Sequence, residues 1–132
     1  MKLENQVSSL ELSKKLKELG INQESLFKWH GEKNNWEIKL STETSSNISA
    51  FTVAELGEML PEEINFPLKN GKARKWSHSW GTRKCKLHAQ GMWVVTYSNY
   101  YARETYKKYA ETEADARAKM LVYLIENKLI TI

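Results

Sequence analysis

A single cysteine, Cys85, stands in the 132 residues, so no internal disulfide can form. No apolar stretch approaches the ~20 residues needed to span a bilayer. The opening MKLENQVSSLELSKK has no apolar centre of the kind a secretory signal requires. Also missing are an internal repeat, a linker, a low-complexity segment, and any P-loop, G-x-G-x-x-G or G-x-S-x-G pattern. These absences lead us to expect one cytoplasmic domain over 1–132 that makes no use of a membrane, a disulfide or a cofactor. At this length such a chain buries well over half of its unfolded surface and needs no covalent staple.

Acid is scarce in one place only. Between Pro67 and Tyr109 there are ten Lys/Arg and one acid, Glu104, a net charge of +9 in 43 residues, whereas the other 89 residues carry −5. The same 43 residues hold eight of the fourteen aromatics. The extreme is KNGKARKWSHSWGTRKCK at 69–86, with seven Lys/Arg, two tryptophans, a histidine and no acid. A solvated loop does not require tryptophan and a core does not accept lysine, so the functional question concentrates here.

The flanks read more conventionally. Ser8-Ser9-Leu10-Glu11 has the form of a capping box, followed by Leu12, Leu16 and Leu19 on one helical face and Gly20 as a stop. Ser25–His30 and Trp36–Leu40 flank a Gly/Asn-rich turn and predict a β-hairpin, after which STETSSNIS reads as a polar loop. Thr52-Val53-Ala54-Glu55 is a second capping box, with Pro61 closing a short helix; Glu55, Glu58, Glu62 and Glu63 read as its solvated face. Asn70-Gly71 signals a hairpin. Strands are expected over 72–80, 82–88, 92–98 and 104–110. Thr112 caps a final helix whose Ala114, Ala118, Leu121, Val122, Ile125 and Leu129 form an apolar stripe. The order implies an α+β fold: an antiparallel sheet with the N-terminal and C-terminal helices packed on one face.

The stretches SLELSKKLKELGINQESLFKW, AFTVAELGEMLPEEI and ETEADARAKMLVYLIENKL resemble those of small proteins encoded by bacteriophages and prophages. The likeness covers the first thirty residues, the middle and the last twenty-odd. It carries no active-site motif, so no residue role transfers from it. The resemblance implies a phage accessory product acting in a bacterial cytoplasm, a setting in which such proteins counter host defences, some by sequestering nucleotide signals.

If 72–80 is extended, side-chain alternation sets Arg74, Trp76, His78 and Trp80 on one face, and Lys84 and Lys86 together on the next strand. Arg74 would grip phosphate oxygens as a fork, and a tryptophan would stack a base. Arg103 and its tyrosine neighbours would cover the site. The competing reading makes the tryptophans core, with Arg and Lys stems lying over them; Trp93 and Tyr97 are balanced between the two. Cys85-x-x-His88 has metal-like spacing but too few partners for a closed shell, and by alternation the two point to opposite faces. A nucleophilic Cys85 is weakly supported. The sequence therefore predicts a non-enzymatic binder of a nucleotide or cyclic oligonucleotide, with homo-oligomerisation as one route to a pocket. Single-stranded nucleic acid and a host enzyme inhibited by docking are the alternative partners.

Overall fold

The computed structural model describes residues 2–62, 64–67, 73–75, 81–87, 90–99 and 104–130. It is built from α1 (Leu10–Glu18), β1 (Phe27–Glu32), β2 (Asn35–Leu40), β3 (Ile48–Ala50), α2 (Val53–Met59), β4 (Asn65–Pro67), β5 (Ala73–Lys75), β6 (Gly81–Leu87), β7 (Gln90–Asn99), β8 (Glu104–Ala110) and α3 (Glu113–Glu126). For β4, β5 and β6 the description extends to backbone pairing. The fold is α+β, and every strand pair among the described residues is antiparallel. The strands are divided among β2-β1-β3, β4-β5 and β6-β7-β8, where the sequence suggested one sheet. No helix among the described residues is long and apolar enough to cross a membrane.

The ends of α1 are set by local chemistry, one of them not as the sequence suggests. Ser9, rather than Ser8, is the N-cap, its hydroxyl accepting from the Leu12 amide at 3.5 Å. Ser8 is fully buried: its amide donates to the Phe51 carbonyl (2.8 Å), and its hydroxyl accepts from the Phe51 amide (3.1 Å). The Ser8 carbonyl accepts from the Ser13 hydroxyl and from Trp29 Nε1 (3.0 Å). With the two serine oxygens 2.7 Å apart, proton bookkeeping has Ser8 donate to Ser13 and Ser13 donate to the Ser8 carbonyl. Burial without an unmet donor is why serine is tolerated there. At the other end Gly20 takes φ 90°, its amide bonding to Lys17 and that of Ile21 to Leu16. This is the Schellman closure that Gly20 signals in the sequence.

In the first hairpin the turn is Lys33-Asn34, with Glu32 opposite Asn35, and Gly31 lies inside β1 opposite Trp36. A Cβ on Gly31 would sit 2.0 Å from the Asn35 carbonyl oxygen, and its φ of 155° suits glycine, so the position excludes a side chain. The segment expected as a loop contains β3, which pairs with β1 through Ile48, buried Ser49 and buried Ala50. The second capping box forms as expected: Thr52 accepts from the Glu55 amide and Glu55 accepts from the Thr52 amide.

α3 lies at the centre of the packing. Tyr123 meets Tyr106 of β8 with ring centroids 5.3 Å apart. Arg117 donates to the Val53 carbonyl at the start of α2 (2.8 Å), and Asp115 accepts from the Ser9 amide at the start of α1 (2.7 Å). With neighbours on several sides, α3 buries Ala116, Met120 and Leu124 as well as the expected Ala114, Ala118 and Leu121. The three alanines allow close approach. The core continues through Leu16, Phe51, Leu56, Leu60, Ile64, Val95, Tyr97 and Leu129.

α3 also closes with a Schellman arrangement, Lys128 bonding to Ile125 and Leu129 to Leu124, but here the left-handed residue is Lys128 at φ 56°. A lysine at this position carries a Cβ penalty that glycine avoids. Lys128→Gly is expected to raise stability by about 0.5–1 kcal/mol, read as a higher urea midpoint at unchanged slope.

Candidate functional site

The seven residues singled out in the sequence are distributed as follows. Arg74 is the middle residue of β5, paired with Phe66. Lys84 and Lys86 lie in β6, opposite Trp93 and Gly91. Trp76, His78, Trp80 and Arg103 lie outside the described residues. The strand expected over 72–80 is described over Ala73–Lys75, and β5 and β6 belong to different sheets. No strand register therefore joins Arg74 to Lys84 and Lys86 among the described residues. Cys85 pairs with Met92, and His88 lies outside the described residues. No cluster of three or more His, Cys, Asp or Glu able to hold a metal is found among the described residues.

The two aromatics left open by the sequence separate. Tyr97 is core: it is fully buried and its hydroxyl donates to the Pro61 carbonyl at 2.6 Å. Desolvation raises its pKa well above the usual phenol value. Trp93 is half-buried, packing against the core on one side and facing a cleft on the other. Between them Val94 and Val95 are both buried, so β7 is covered on both faces, as its sequence suggests. Val95 belongs to the main core and Val94 lies outside it.

The cleft has a volume of about 650 Å³, within the range of small-molecule sites. Its apolar wall includes Phe27 of β1, Val53 of α2 and Trp93 of β7; its polar rim includes Asn5, Glu111 and Glu113. These residues are far apart in the chain. β1 delivers Phe27 beside the start of α2, and the β8–α3 junction delivers Glu111 and Glu113. Glu113 is partly neutralised by Arg117, whose guanidinium is 2.9 Å away. Glu111 is exposed. Nothing local in the sequence marks Asn5, Phe27 or Glu111 as members of one site; Trp93 alone carried a signal, as an aromatic in a basic region.

Chemically, the cleft offers two aromatic side chains, Phe27 and Trp93, and a polar lining of carboxylates, amides and hydroxyls. By register, β6 then brings Lys84 opposite Trp93 and Lys86 two positions along, opposite Gly91. A strand rich in basic residues therefore adjoins the strand that carries Trp93. No family model, no curated protein and no solved structure matches the chain.

Proposed function

We propose that this protein is a non-enzymatic binder of a nucleotide-like anion, and that it acts by sequestration. The observation that carries the reading is the β6–β7 register. It pairs Lys84 with Trp93 in the strand ladder, so a strand rich in basic residues adjoins the one whose half-buried indole lines a cleft of small-molecule size. Phosphate wants a fixed cation and a base wants a ring to stack on, worth roughly 1–3 kcal/mol per base in single-strand binders. Arg74, Lys86 and Arg103 are the further phosphate-side residues of this reading, with Trp76, His78 and Trp80 as its second aromatic group. The resemblance to small phage-encoded proteins supports the choice of ligand, a nucleotide signal of a host defence system. Sequestration needs affinity and copy number and no reacting group.

Native mass spectrometry against mononucleotides, cyclic oligonucleotides and a single-stranded oligonucleotide tests the proposal. Binding of a small nucleotide at micromolar concentration, weakened at least tenfold in Lys84→Ala/Lys86→Ala, is expected. A small ligand should lose little between ~50 and ~200 mM salt, whereas an oligonucleotide neutralising several phosphates loses decades. Oligonucleotide binding alone, with that steep slope, would replace this reading by the single-stranded nucleic-acid one.

A further inference from the structure

We propose that the cleft between β1, β7 and the start of α3 is a base subsite, and that it selects heterocycles bearing an exocyclic amine. The inference rests on the nucleotide reading above and adds to it the orientation and identity of the ring. Phe27 and Trp93, from two different sheets, supply the aromatic wall, and both are half-buried, so each keeps ring surface open to the cleft. The polar lining combines two carboxylates, Glu111 and Glu113, with the amides of Asn5 and Gln6 and the hydroxyls of Thr52 and Thr112. The carboxylate oxygens accept hydrogen bonds, one Glu113 oxygen already doing so from Arg117, whereas the amides and hydroxyls can donate or accept.

Two consequences follow from that chemistry. A rim carboxylate favours the ring edge with more donors: the exocyclic amine of adenine, cytosine or guanine offers it two N–H groups, whereas uracil and hypoxanthine set carbonyls at that edge and keep a single ring N–H beside them. A ring that sets a carbonyl against a rim carboxylate forgoes that hydrogen bond and adds lone-pair repulsion. Glu111, which has no ion-pair partner among the described residues in the way Glu113 has Arg117, repels phosphate, so the phosphate group leaves the cleft on the side away from Glu111. The β6 strand, paired with β7 at Lys84 and Trp93, is rich in residues of the opposite charge. The ligand is thus polarised, its ring toward the acid rim and its phosphate toward the basic strand.

Nucleosides separate this inference from the phosphate reading, since they carry the ring without the charge. Titrations would compare adenosine and guanosine each with inosine, and cytidine with uridine, followed by indole fluorescence and by amide shifts. The corresponding 5′-monophosphates and inorganic triphosphate would be run in parallel. At least one amine-bearing nucleoside is expected to bind tenfold or more tightly than its partner lacking that amine, with Glu111→Gln narrowing the ratio severalfold. Ala54→Trp, at an exposed cleft position, fills the space without touching the core and should abolish nucleoside binding with the circular dichroism unchanged. Equal affinity for amino and oxo partners, or nucleoside binding that survives Ala54→Trp, overturns the base subsite. Monophosphates that bind without base preference would overturn it while leaving the anion reading standing. Amine-selective nucleoside binding without any gain from phosphate would do the reverse. Absence of binding by every probe removes both.

Discussion

Phe51→Ala is expected to destabilise the protein by about 3–5 kcal/mol, a large share of the roughly 5–15 kcal/mol that holds a domain of this size together. Phe51 is fully buried, and its ring joins residues of α1, α2 and α3 in one core. Truncation removes the burial of a phenyl group and leaves a void that surrounding alanines on α3 are too short to fill. The backbone of Phe51 adds to the effect, because its amide and carbonyl both bond to Ser8 and fix the segment just after β3 that carries the ring. A shift there disturbs the closed Ser8–Ser13 pair and the Trp29 indole that bonds to the same Ser8 carbonyl. Urea denaturation followed by tryptophan fluorescence measures the loss. Phe51→Leu, which nearly conserves volume, should cost less than about 1.5 kcal/mol. Equal losses for the two substitutions would show that ring shape, and not cavity volume, sets the energy.

Those features of the fold governed by near neighbours in sequence were legible. The capping box at Thr52 and Glu55, the glycine closure at Gly20, the Thr112 cap of α3 and the extent of β8 all formed as read. Each depends on residues within a few positions. Ser8 was misread because its role depends on Phe51, 43 residues away: with a buried backbone partner available, it joins that pairing and leaves the helix cap to Ser9. β3 was hidden by composition, since Ser49 looks solvated and is buried. α3 was read as a helix with one apolar stripe; contacts to α1, α2 and β8 make Ala116, Met120 and Leu124 interior as well.

The candidate site was legible in kind more than in place. The basic and aromatic excess of the centre pointed to Lys84 and to the region of Trp93. Their pairing follows from the β6–β7 register, which alternation within one strand cannot supply. The cleft itself had no signal, because Asn5, Phe27, Trp93 and Glu111 meet only after four separate segments have packed. Residues whose energetics are local announce themselves in sequence. Residues that act as neighbours across a fold do so only when composition is unusual, as it is here for charge and not for the cleft rim.

Asp115 gives the second large effect, and its sign changes with the substitution. It is the third residue of α3, its amide held by Thr112, and its carboxylate accepts from the Ser9 amide that begins α1. One side chain thus joins two helix starts. Burial pushes its pKa up from 3.8, outweighing the two hydrogen bonds from Ser9 and the attraction of Lys119, with Glu11 adding to the rise. A carboxyl with a raised folded pKa binds its proton more tightly when folded. The group therefore favours the folded state most at low pH, and that advantage is lost as pH rises from 3.8 through the folded pKa. Asp115→Asn keeps an acceptor for Ser9 and removes the charge. Its stability relative to the wild type should improve steadily across that window and level off above it. Asp115→Ala removes the acceptor and strands the Ser9 amide, and is expected to be about 1–2 kcal/mol less stable than Asp115→Asn at neutral pH. Urea midpoints of the three proteins between pH 4 and pH 8 decide the matter. A wild type that gains on Asp115→Asn as pH rises would mean that the hydrogen bonds from Ser9, and not burial, control this carboxyl.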